Sequence, residues 1–142
     1  MAHNFEGVFV ERPALGAEEL EKLFHGFARE IEQPFVGTVV SLVGTVVSFQ
    51  DRERIGAKTF VLEKSKALPN SKIAYINYVT WAGAVDSVLG FACQNGVLIE
   101  GSGQEKDADP QNEVLISLLR IVGAQAPTSY FAPFERGFFP NT

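Results

Sequence analysis

The chain has a single cysteine, Cys93, and two histidines, His3 and His25, among its 142 residues. One thiol cannot close an intrachain disulfide, so nothing here calls for an oxidising compartment, and the cytoplasm is the expected location. The two histidines and the cysteine lack ligand-like spacing, so neither a metal nor a cofactor is expected. Cys93 sits in an apolar stretch and reads as packing rather than as a nucleophile. Gly101-Ser102-Gly103 lacks the third glycine of a dinucleotide fingerprint and the lysine of a phosphate loop. No motif groups serine, histidine and aspartate, so an enzyme is not expected. Also missing is any apolar run near the roughly 18 to 20 residues that cross a bilayer. Residues 1–30 mix Glu, Arg and Gly where a secretion signal would place a charged start and an apolar run, so neither a membrane nor an export role is expected.

What is present is globular composition, 46% hydrophobic and 20% charged, at a length suited to one core. The net charge of −5 is uneven: −4 over residues 1–33, +1 over 34–101 and −2 over 102–142. The total argues against indiscriminate binding to phosphate backbones, but the central segment escapes that argument.

Along the chain, Val8, Phe9 and Val10 suggest a brief strand or an arm. Leu20, Leu23, Phe24, Phe27, Ala28 and Ile31 recur on one helical face, with Glu18 and Glu19 at the positive end of the dipole and Pro34 as a stop. This spacing predicts a helix from Ala17 to Glu32. From Pro34 to Phe49, Gly37-Thr38-Val39-Val40-Ser41 recurs as Gly44-Thr45-Val46-Val47-Ser48, which reads as one long β-branched strand or two strand halves bent at Gly44. A polar turn through Gln50–Arg54 leads to a second strand, Ala57 to Glu63. The third strand is Lys72 to Trp81. A short helix is predicted from Val85 to Cys93, ended by Asn95-Gly96, then a fourth strand from Val97 to Glu100 and a polar loop over 102–112. Glu113 to Val122 fits a fifth strand, although Leu115, Leu118, Leu119 and Val122 also fit a helix. The expected organisation is an N-terminal arm and amphipathic helix (1–33), a β domain (34–122) and a C-terminal aromatic arm (123–142).

Residues 75–101, YINYVTWAGAVDSVLGFACQNGVLIEG, resemble a stretch of the bacterial single-stranded DNA-binding protein family, with an aromatic-flanked strand, a small helix, a Gly turn and a strand ending Ile-Glu-Gly. GAKTFVLEKS (56–65) is similar to that family's second strand. The resemblance runs from about Phe35 to Gly101 and implies a mainly β, five-stranded oligonucleotide-binding barrel with a helix between strands three and four. It further implies non-catalytic binding of single-stranded DNA or RNA, as in replication and repair, by bases stacked on Tyr75 and Trp81. Residues 75, 77, 79 and 81 share one face of a strand, so Tyr75, Asn77, Val79 and Trp81 are expected together. Phe49 and Phe60 are further stacking candidates. Arg52, Arg54, Lys58, Lys64, Lys66 and Lys72 are the candidates for following phosphates.

The chain departs from that pattern at the loop before the fifth strand, where Glu105, Asp107 and Asp109 outnumber Lys106 and would repel a phosphate chain. The family's acidic, phenylalanine-ended tip has no counterpart in Gly137–Thr142, so recruitment of repair enzymes through such a tip is not implied. A homo-oligomer is expected, with the N-terminal helix and the ring-rich tail (Tyr130, Phe131, Phe134, Phe138, Phe139) available to protein partners or to a second copy. The competing expectation is an oligomeric scaffold or protein-interaction module that keeps the barrel without nucleic-acid binding.

Overall fold

Ala2–Glu11 (β1) is the strand around which the sheet is built. Phe5 and Phe9 fall on one face and Val8 and Val10 on the other, and all four are fully buried. A strand apolar on both faces belongs in the middle of a covered sheet. The computed structural model describes residues 2–32, 36–42, 50, 53–81, 84–107 and 113–123, and for residues 2–4, 80–81 and 84–86 it describes the backbone.

β1 pairs antiparallel with Gly37–Ser41 (β3) on one side and Ile73–Trp81 (β4) on the other. Phe27–Ile31 (β2) extends the sheet beyond β3, and Ala84–Gln94 (β5) extends it beyond β4. Val97–Leu98 (β6) and Gln104–Lys106 (β7) share the outer side of β5. The result is an open, antiparallel, seven-stranded sheet in the order β2-β3-β1-β4-β5-β6, with β7 beside β6 along β5.

Between β6 and β7 the ladder is completed by a side chain. Ser102 is buried, and its Oγ accepts the Ala92 N–H at 3.0 Å. The same hydroxyl lies within donating distance of the Ala92 and Ile99 carbonyls.

Three helices cover the sheet among the described residues. Glu113–Ile121 (α3) buries Val114, Leu115, Leu118 and Leu119 against the face carrying Phe5, Phe9, Ile76, Tyr78 and Val88. Ala17–Phe24 (α1) and Ala57–Ser65 (α2) bury Leu20, Phe24, Phe60 and Val61 against Val8, Val40, Tyr75, Phe91 and Cys93 on the opposite face. Both faces therefore hold a core, with the sheet between two layers of helix.

Several expected elements change identity. The helix predicted to run to Glu32 stops at Phe24, where His25 takes a left-handed φ of 55°. A Cβ on Gly26 would stand 2.3 Å from the Ser41 carbonyl oxygen, so the chain leaves the helix there and runs against β3. Residues expected as arm and helix thus supply the central strand and an edge strand. The second predicted strand, Ala57 to Glu63, is instead helix α2, because Phe60, Val61 and Ser65 reach one buried side only at helical spacing. The helix predicted over Val85 to Cys93 is strand β5, with Val88 and Ala92 under α3 and Phe91 and Cys93 on the other face. Asn95 (φ 51°) and Gly96 (φ 79°) do not end a helix; they form the two-residue turn of the β5–β6 hairpin, where both residues need positive φ.

Of the two alternatives for Glu113 to Val122, the structure takes the helix, since Val114, Leu115, Leu118, Leu119 and Val122 are all buried along one stripe. The described pairings contain no closure of β2 onto β6 or β7, and no helix separates β4 from β5. The architecture is mainly β, and the described pairings form an open antiparallel sheet in which the five-stranded barrel implied by the resemblance is not confirmed. The second half of the predicted first strand, residues 43–49, lies outside the described residues, as do residues 108–112 and 124–142 of the predicted loop and arm. Among the described residues no helix is long and apolar enough to cross a membrane.

Candidate interaction groove on the open sheet face

The register fixes which side chains form rows across the face that α1 and α2 cover. One row is Phe91, Tyr75, Val8, Val40 and Ala28; the next toward the Ala2 end is Glu105, Leu89, Asn77, Glu6 and Leu42. The first row lies within the core beneath the helices, and the second emerges from it.

Tyr75 belongs to the covered row. It is 1% exposed, its ring stacks on Phe91 with centroids 5.1 Å apart, and its hydroxyl donates to the Glu6 carboxylate. The Tyr75 ring, stacked on Phe91 within the core, presents no open face to a base in this structure. Phe60 is buried as well: it points from α2 into the same core, with the Lys64 ammonium 5.6 Å from its ring centre. For Trp81 the structure gives the backbone, paired with Ala2 and Ala84 at the far end of β4. Phe49 and Arg52 lie outside the described residues.

The expected cations are spread out rather than gathered. Lys58 stands exposed near the start of α2, beside the second row, and Arg54 precedes it. Lys64 covers Phe60, and the aliphatic stem of Lys66 lies across Gly96 at the hairpin turn. Lys72 is exposed just before β4, at the opposite end of that strand from Asn77 and Val79. Of the five described, Lys58 borders the open part of the face that also holds Asn77.

That open part is a groove formed by two adjoining hollows. One, of about 320 Å³, is lined by Lys58, Leu89, Phe91, Leu98 and Glu105 among others. The second, of about 280 Å³, is lined by Asn77, Val79, Ser87, Leu89, Glu105 and Lys106. Leu89 and Glu105 belong to both, so the two read as one furrow along β5. Leu89 is 40% exposed, an apolar floor left open in the middle of a sheet face.

The rim is electrically mixed. Lys58 comes from α2 and Glu105 from β7, while Lys106 is engaged with Glu113 at the start of α3. The second anchor of β7 is Gln104, whose amide donates to Ser117 Oγ at 2.9 Å. Among the described residues Lys58 stands on one rim and Glu105 on the other, a mixed pair rather than the run of cations that a phosphate chain follows. Apolar floor, amide and hydroxyl groups (Asn77, Ser87) and rim charges of both signs suit the mixed chemistry of a polypeptide.

Cys93 completes the inventory of reactive groups. Burial pushes its thiol above the ordinary value of 9.0, partly opposed by a hydrogen bond with Ser65. Ser65 is fully buried; its Oγ donates to the Leu62 carbonyl at 2.7 Å and accepts the Gly96 N–H at 2.8 Å, tying α2 to the hairpin turn. These contacts are structural, and the thiol is held in its unreactive form.

Ser87 and Leu89 were missed as candidates because 85–93 read as a helix. One signal in the sequence could have found them: Asn95-Gly96 between apolar runs marks a hairpin, and so a strand before it in which Ser87, Leu89 and Phe91 share one face. Comparison of the chain with protein-family models, with curated proteins and with solved structures finds no match.

Proposed function

We propose that this chain is a non-catalytic protein-interaction module, an adaptor or scaffold that holds an extended polypeptide segment in the furrow over Leu89. The observation that carries this reading is the exchange of roles on one sheet face: Tyr75 is sealed in the core, while Leu89 is left open between Lys58 and Glu105. An aliphatic side chain offers an apolar contact but no ring for base stacking, and a mixed-charge rim gives orientation without a phosphate-attracting field.

Single-strand binding remains the second reading, supported by exposed Lys58, Lys66 and Lys72 and by the position of Trp81 on β4. It does not need the closed barrel of the resembled family, since an open sheet can also present rings and cations.

One pair of measurements separates the two. A photoreactive benzoylphenylalanine in place of Leu89 is expected to form adducts with other polypeptides in cells, at least several-fold above the same group placed at Lys72. In parallel, fluorescein-labelled oligo(dT) at low salt, where the charge contribution is greatest, is expected to show no change in anisotropy with the full chain. Tight oligonucleotide binding lost on Lys58→Glu, with no polypeptide adduct at Leu89, would replace the first reading by the second.

A further inference from the structure

One edge of the sheet is open. Among the described residues no strand pairs beyond β2, whereas the outer side of β5 is taken by β6 and β7. The hydrogen bonds fix which groups of β2 point outward. The Leu42 N–H donates to the Glu6 carbonyl at 2.8 Å and the Arg12 N–H to the Val36 carbonyl at 3.1 Å, so even-numbered positions of β3 turn their backbone toward β1. The odd-numbered ones, Gly37, Val39 and Ser41, turn toward β2, where their partners are Ile31, Arg29 and Phe27. Ala28 and Glu30 therefore project their N–H and C=O groups away from the sheet.

Such an edge is a template for a further strand. A second copy of this chain supplies a matching one. In antiparallel pairing about a two-fold axis at Arg29, Ala28 meets the partner's Glu30, and the half-buried Phe27 meets the partner's half-buried Ile31 on the face that α3 covers. With two outward residues per strand, every antiparallel register that engages both uses the Ala28 N–H. That donor is already taken: Glu21 reaches across from α1, and its Oε2 accepts the Ala28 N–H at 2.9 Å. We infer that Glu21 guards this edge: while its carboxylate holds the Ala28 N–H, a second copy does not add its β2 to the sheet. An arriving strand has to displace a charge-assisted hydrogen bond, and the displaced carboxylate stays beside the carbonyl oxygens of the newcomer. This guard is independent of the furrow, which lies over β5 on the other side of the central strands.

The test is self-association of the purified full chain by analytical ultracentrifugation. The two-fold register sets the two Arg29 side chains directly opposite one another, so Arg29→Thr is the background in which the Glu21 variants are compared. There, Glu21→Ala is expected to tighten self-association at least about ten-fold, since each pair of chains gains two released donors. Glu21→Gln keeps a carbonyl acceptor at the same reach and is expected to associate no more tightly than Arg29→Thr alone. Glu21→Asp, still charged but one methylene shorter, is expected to behave as Glu21→Ala and replaces it should the alanine variant not fold. Adding Ala28→Pro removes the donor at an edge position that tolerates proline, and is expected to abolish the gain. Unchanged association in Glu21→Ala and Glu21→Asp, or a gain that survives Ala28→Pro, overturns the inference. Lower stability in Glu21→Ala with no gain in association confines the carboxylate to bracing the α1–β2 turn and overturns it equally.

Discussion

Tyr75 shows how much one side chain's surroundings decide. Its place on a period-two strand was readable, yet the same alternation puts it under α2 rather than in solvent, and its hydroxyl is committed to Glu6. Tyr75→Phe is expected to cost about 1–2 kcal/mol in urea unfolding, the worth of a half-buried hydrogen bond to a carboxylate. Ser102 has a comparable role on the outer edge of β5: in Ser102→Ala the Ala92 N–H loses its partner, with an expected loss of about 1–3 kcal/mol.

Cys93 gives a pH signature at the same scale. Its thiol is raised in the folded state, so the native protein holds the proton more tightly than the unfolded chain. The stabilisation is fully present below the unfolded thiol value and is lost as pH rises beyond it. Stability should therefore fall more steeply above about pH 9 in the native sequence than in Cys93→Ala. A thiol reagent at neutral pH should label Cys93 only on unfolding. Equal steepness in the two proteins would show that the thiol does not contribute.

At the scale of elements, the misread segments share a cause. Phe27 with Ile31 and Val88 with Ala92 are spaced by four, and residues four apart share a face in a strand as well as nearly so in a helix. Pattern alone cannot separate the two, so partners decide. β2 is held open by the Glu21 carboxylate, which accepts the Ala28 N–H at 2.9 Å, and by pairing with β3. β5 is held by β4 on one side and by β6, β7 and Ser102 on the other. In α2 the misleading feature was the run Thr59 to Leu62, rich in strand-favouring residues, which tertiary packing overrides.

Gly90 lies where α3 packs on the sheet. A Cβ there would meet Leu118 Cδ1 at 2.5 Å and the Tyr75 carbonyl oxygen at 2.7 Å. Because the second contact is backbone of the neighbouring strand β4 and cannot swing aside, Gly90→Ala is expected to disturb the β4–β5 pairing and cost about 1–3 kcal/mol in thermal or urea unfolding. A neutral result would show that the two strands absorb the added methyl group.

At the scale of the molecule, two helical layers and one sheet leave a furrow with the exposed Leu89 in it. The net charge of −5 and the mixed rim together set an expectation for the whole chain: adducts at Leu89 should vary little with salt between low and physiological ionic strength, because apolar contact dominates. A steep loss with salt would instead indicate a charge-driven ligand.

From the sequence by itself came a β-rich body, the strand ending at Trp81 and the helix-compatible spacing of Leu115, Leu118, Leu119 and Val122, since each depends on composition or on a local period. Tertiary structure alone decided that β1 is central, that Phe27–Ile31 and Ala84–Gln94 are strands, that Tyr75 is covered and that Leu89 is open. Those outcomes depend on which surfaces face one another across the sheet, and burial between distant segments leaves no fixed spacing in the chain to be read.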